Sequence, residues 1–176
     1  MSATIHTSLG DIKVELFADL VPRTVFNFLA LAASGAYDGS IFHRNIKQFM
    51  IQGGSPAASG GKGGDSIWGG DMPDEFHPNL THSRRGMLSM ANKGPNTNRS
   101  QFFFTYDKAA HLNSIYSVFG KVISGFDILD MLERLPVGKK DRPNDPPVIV
   151  GVTIHANPLA DEGIVYPEAD GGPVQA

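Results

Sequence analysis

The chain has 176 residues, a formal net charge of −3 and no cysteine, which suits one domain with a real core and excludes disulfides, thiolate metal sites and a cysteine nucleophile. Basic residues never run longer than Lys139-Lys140, so a surface that tracks nucleic-acid phosphates is not expected. Neither a leader pattern nor a stretch of roughly 18 apolar residues is found, so the chain reads as a soluble protein of the cytoplasm or nucleus, with no membrane partner.

Residues 3–8 and 11–17 alternate as two strands joined by Leu9-Gly10-Asp11, residue types of a tight hairpin. Pro22 suits a first helical position, and Val25, Phe28, Leu29 and Ala32 recur at helical spacing until Gly35, predicting a helix over 22–34. The stretch from Tyr37 to Gly54, YDGSIFHRNIKQFMIQGG, then sets a cation among large apolar groups. At strand period Phe42, Arg44 and Ile46 share one face and His43, Asn45 and Lys47 the other, with Met50 and Gln52 in a second short run. An arginine among apolar neighbours is either tied to a carboxylate or held at the mouth of an apolar cavity.

Residues 55–70 form a glycine-rich stretch in which Lys62 precedes Gly63-Gly64 and no Ser or Thr follows directly, so it reads as a surface loop and not as a phosphate cradle. His77 and His82 lie near Asp74 and Glu75, but without a helical pattern to align them residues 71–85 read as an exposed polar loop with no metal. Gly86 to Ala91 is a short buried strand and residues 92–98 are turn chemistry. Residues 100–105 form a strand with three consecutive phenylalanines, Phe102 to Phe104, so both its faces are covered or one meets a ligand.

Val118 to Ile123 is a further strand, and Ile128, Leu129, Leu132 and Leu135 line one face of a second helix that Pro136 stops. Val148 to His155 alternates as a last strand. Seven or eight short strands, two helices and no βαβ alternation predict a mainly β protein, a closed antiparallel barrel plugged by helices. Residues 158–176 carry acidic groups, proline and glycine but no basic residue, and read as an appended tail to a domain of residues 1–157. Its Gly172-Pro173 dipeptide is a candidate occupant of a neighbouring molecule's groove.

Two blocks of this sequence resemble the cyclophilins. One is Tyr37, Ser40, Phe42-His43-Arg44, Ile46, Phe49-Met50 and Gln52-Gly53-Gly54; the other is Met90-Ala91-Asn92, Gly94 to Asn98 and Ser100 to Phe103. The resemblance spans roughly residues 1–157, and Ile67-Trp68-Gly69 with His155-Ala156-Asn157-Pro158 look most like the short cyclophilin-like isomerases associated with the spliceosome. It implies a peptidyl-prolyl cis–trans isomerase on a closed eight-stranded antiparallel barrel capped by two helices, needing no cofactor. In that likeness Arg44 matches the catalytic arginine, Phe49, Met50, Phe103 and Leu112 the pocket for the proline ring, and Gln52, Ala91, Asn92 and Gln101 the groups that hold substrate backbone. His111 stands where the best-known members have tryptophan and Tyr116 where they have histidine, both on the pocket rim.

The implied partners are proline-containing peptides and proteins, spliceosomal proteins among them, and cyclosporin-type inhibitors with reduced affinity because of His111; the protein is expected to be a monomer. A docking module that binds proline-containing partners without catalysis is the rival reading, which retention of Arg44 disfavours.

Overall fold

The computed structural model describes residues 1–155. The appended tail, with Gly172-Pro173 and the Ala156-Asn157-Pro158 ending, lies outside the described residues. The elements run β1 (Ser2–Thr7), β2 (Gly10–Leu16), α1 (Pro22–Ala33), β3 (Arg44–Ile46), β4 (Met50–Gly53), β5 (Met87–Met90), β6 (Phe102–Thr105), β7 (Val118–Ser124), α2 (Phe126–Glu133) and β8 (Ile149–Ile154).

All eight strands belong to one curled antiparallel sheet in the order β3-β4-β6-β5-β7-β2-β1-β8. The terminal strands β3 and β8 form no ladder. They are linked by a single bridge between Ile41 and Val148, flanked by Phe42 N–H donating to Pro147 O at 2.9 Å and Ile149 N–H donating to Ser40 O at 2.7 Å. The expected closed barrel is therefore an open one at this seam, because the chain leaves β8 after Phe42 to pair with β4 from Arg44 onward.

That departure also corrects the strand-face expectation. Phe42 is fully buried in the main core while Arg44 is exposed, and the next inward residue is Asn45, 1 % exposed. Alternation thus breaks between positions 42 and 45, so Phe42 and Arg44 do not share a face. Asn45 is satisfied inside: its Nδ2 donates to Leu132 O at 2.9 Å and its Oδ1 accepts from Tyr106 Oη at 2.6 Å.

The main core fills the enclosed face of the sheet with Ile5, Ile12, Val14, Leu88, Phe102, Phe104 and Phe119, sealed by Val25, Phe28 and Leu29 of α1 and by Leu129 and Leu132 of α2. Phe28 meets Phe102 edge to face at 5.6 Å and lies 5.3 Å from Phe119. The α2 entry depends on Gly125, whose φ is +99° and where a Cβ would sit 2.4 Å from Asp11 O.

No side chain of its own caps α1. Its first amides instead donate to Glu75, Thr24 N–H at 2.8 Å and Arg23 N–H at 3.3 Å, which places a carboxylate at the positive end of the helix. Residues 71–85 are therefore not the exposed loop expected. Glu75 caps a helix, Asp74 accepts from Asn98 Nδ2 at 2.8 Å, and His82 is fully buried. Sequence period could not show this, because these side chains are satisfied by partners from distant segments.

Candidate active site

In antiparallel ladders, residues directly opposite share a face. Arg44 pairs with Gln52, Gln52 with Phe103, and Phe103 with Ser89, so β3, β4, β6 and β5 carry one row across the outer face. One register step away Ile46 pairs with Met50 and Met50 with Thr105. The triple phenylalanine is divided by this pleat: Phe102 and Phe104 join the main core, and Phe103 faces out into a second apolar cluster.

That second cluster gathers Met50, Phe103, Ala109 and Leu112, with Ile46, Phe49, Ala91 and Tyr116 packed against it. The turn Ala110–Leu112 folds back over the sheet and delivers Leu112 inward while leaving His111 exposed. The His111 ring stacks on Phe49 at 5.7 Å and 30°, and Tyr116 meets Phe103 edge to face at 5.6 Å and 89°. Both rim residues thus touch the apolar cluster. Phe49 is held from the backbone as well, its carbonyl accepting from Tyr106 N–H at 2.8 Å.

Beside this cluster lies a recess of about 340 Å³ lined by Gln52, Ala91, Asn92 and Gln101, together with Gly63, Lys93 and Thr97. Gln52 Nε2 donates to Gln101 Oε1 at 2.9 Å, and Gln101 Nε2 donates to Gly63 O at 2.9 Å, so two amides and a loop carbonyl fix each other in series. Ala91 N–H donates to Gln101 O at 3.0 Å. Asn92 spends its side chain on its own surroundings, Nδ2 donating to Ile115 O at 2.8 Å and Oδ1 accepting from Gly94 N–H at 3.2 Å.

Arg44 is exposed and forms no ion pair among the described residues, which removes the carboxylate-tied alternative. Its guanidinium stands at the edge of the outer-face row with donors uncommitted to any acid. The residues that the resemblance matched to the catalytic, pocket, backbone-holding and rim positions thus fall in the arginine's row, the apolar cluster with its rim, or the amide recess. Among the described residues no group of histidines and carboxylates is arranged to hold a metal ion.

Sequence reasoning missed the support beneath Phe103. His82 lies flat against its ring at 5.9 Å and 6°, its Nδ1 is 2.9 Å from Asn113 Oδ1, and its Nε2 is 2.9 Å from Ser89 Oγ. Since Asn113 Oδ1 only accepts, Nδ1 carries the proton and Nε2 accepts from the Ser89 hydroxyl, a neutral tautomer. Burial holds the His82 pKa below the ordinary histidine value, which keeps the ring neutral behind the cluster.

A family model described as cyclophilin type peptidyl-prolyl cis-trans isomerase/CLD matches residues 2–154. Peptidyl-prolyl cis-trans isomerase CYP18-1 of Arabidopsis thaliana is 62 % identical over 160 residues, covering 91 % of this chain and 99 % of its own. Peptidyl-prolyl cis-trans isomerase-like 3 of Homo sapiens is 56 % identical over 161 residues, again 91 % of this chain and 99 % of its own. A crystal structure of a Cryptosporidium parvum cyclophilin type peptidyl-prolyl cis-trans isomerase, obtained in the presence of the dipeptide Ala-Pro, superposes with a TM-score of 0.85 at 50 % identity, covering 89 % of this chain and 100 % of that one.

Proposed function

The chain belongs to the cyclophilin-type peptidyl-prolyl cis–trans isomerases, and from that premise we propose that Arg44 is its catalytic residue, with the X-Pro substrate lying across the outer face of β3, β4 and β6. The observation that carries this assignment is the shared row of Arg44, Gln52 and Phe103 beside the Met50 cluster.

Rotating a peptide bond out of plane costs roughly 18–20 kcal/mol because amide resonance is lost, and X-Pro bonds left alone take tens to hundreds of seconds. No bond is broken, so neither nucleophile nor cofactor is called for. In the twisted transition state the proline nitrogen becomes pyramidal and regains a lone pair. A guanidinium N–H then gains an acceptor that the planar ground state lacks, which is differential binding of the transition state. One charge-assisted hydrogen bond supplies about 1.5–3 kcal/mol, on the order of 10- to 100-fold in rate.

Phe49, Met50, Phe103 and Leu112 receive the proline ring, with His111 and Tyr116 on the rim. Gln52 and Gln101, already locked to each other, and the backbone of Ala91 and Asn92 hold the flanking chain so that one side of the bond turns against a fixed other side. The same reading has the protein acting as a monomer in the cytoplasm or nucleus on proline-containing proteins, spliceosomal ones among them. The test is isomerisation of a proline peptide by NMR exchange for wild type and Arg44→Ala. A fall of about 10-fold or more in kcat/KM supports the assignment; undiminished catalysis overturns it.

A further inference from the structure

Arg44 lines a second recess, which shares no lining residue with the amide recess. It measures about 490 Å³ and is bounded by His43, Arg44, Lys62, Lys139, Lys140 and Arg142, with Gly60, Gly61 and one acid, Asp141. Five formal cations against a single carboxylate leave this hollow strongly positive on a chain whose net charge is −3. None of the five cationic side chains forms an ion pair among the described residues, although Arg85, Arg99 and Lys121 elsewhere all do.

The hollow is built from three distant segments. Arg142 Nη1 donates to Gly60 O at 2.7 Å, tying the loop that follows α2 to the glycine-rich loop. Gly61 closes against His43 so tightly that a Cβ there would sit 2.5 Å from the His43 Cβ. His43 Nδ1 is buried with no hydrogen-bond partner. Like charges gathered around a concave surface without acids to neutralise them raise the local potential and attract an anion.

We infer that this recess takes an anionic side chain of the proline-containing substrate, so that the isomerase prefers X-Pro bonds with a carboxylate or phosphate a few residues away. The inference rests on the placement of the substrate across Arg44. It deepens that reading by naming the substrate class: the anion is anchored in one recess while the backbone is held in the other, with the turning bond between them.

The test uses the full chain and a set of otherwise neutral proline peptides, with Glu or phosphoserine placed singly at each of the three positions on either side of the X-Pro pair. Exchange rates and KM are measured for wild type, Lys62→Gln and the double variant Lys139→Gln/Lys140→Asn. Asparagine is used because Lys140 has φ +57°, a conformation it tolerates. At low salt at least one anionic placement should lower KM by about 5- to 10-fold against the neutral peptide, an advantage that shrinks toward 1 M salt as the Debye length falls to about 3 Å. Both variants should lose the advantage and keep wild-type kinetics on the neutral peptide. A gain with phosphoserine alone identifies the phosphate as the ligand; a gain with both identifies any carboxylate or phosphate. No gain at any placement, or a gain that both variants retain, overturns the inference. Loss of activity on the neutral peptide in wild type overturns the isomerase reading instead, and the same peptides titrated for binding then still report whether the recess prefers an anion.

Discussion

Arg44 and Gln52 are direct partners across the β3–β4 ladder, yet each lines a different hollow, Arg44 the basic recess and Gln52 the amide recess. On the proposed placement of substrate, the reacting bond lies over the ladder between them, with one recess for the held backbone and the other for an anionic side chain.

Arg44→Lys keeps the positive charge but loses the planar fork and delocalised donors of the guanidinium. It should restore less than about one tenth of the wild-type kcat/KM while binding peptide within about 3-fold of wild type. Near-full activity in Arg44→Lys, read by NMR exchange, would show that charge alone suffices.

Glu75 should matter to stability and not to catalysis. Glu75→Ala removes the acceptor for two amides at the start of α1 and is expected to cost about 0.5–2 kcal/mol in urea unfolding. Glu75→Gln should lose less, because an amide oxygen still accepts. An Ala variant as stable as wild type would show that water replaces the carboxylate at no cost.

Acidification should destabilise the fold through His82. Its folded pKa lies below the unfolded value of about 6.5 because burial opposes the charge. The stabilisation tied to the neutral ring is therefore complete above about pH 6.5 and is lost as pH falls below it, by at most about 1.4 kcal/mol per pH unit for one proton. His82→Gln should flatten the fall of unfolding free energy between about pH 6.5 and 5. A slope equal to that of wild type would place the titration elsewhere, for instance at His43, which burial and the charges of Arg142 and Arg44 also hold neutral.

His111 covers Phe49 with an imidazole. His111→Trp would add roughly 50 Å² of apolar cover, worth about 1.3 kcal/mol and so close to tenfold in affinity. Calorimetry should accordingly find weak cyclosporin binding by wild type and tighter binding by the variant. Equal affinities would show that the rim residue does not contact the inhibitor.

Much of this molecule is legible in its sequence where the signal is periodic. The opening hairpin and the apolar stripe of α1 follow from local pattern and hold in the fold, although Gly10 and Asp11, expected in the turn, already belong to β2. Which of the three phenylalanines faces outward stays open in the sequence, and the pleat of β6 assigns it to Phe103. The face assigned to Arg44 failed because one residue of drift between the β8 bridge and the β4 ladder reverses every side chain after it. The His82 support failed for another reason: a lone histidine in a polar stretch carries no period, and Ser89 and Asn113, which satisfy it, come from elsewhere in the chain. The basic recess was invisible because its cations are scattered over His43-Arg44, Lys62 and Lys139 to Arg142. Only the fold sums them.

The pleat of β6 gives neighbouring phenylalanines unlike duties. Phe102 and Phe104 belong to the packing that keeps the chain folded, while Phe103 belongs to the outer-face cluster proposed to receive the proline ring. Substitution at Phe103 is therefore expected to alter ligand preference with little disturbance to the enclosed face. One short strand thus answers to two separable demands, a stable chain at its inward positions and, on the proposed reading, a fit to substrate at its outward one.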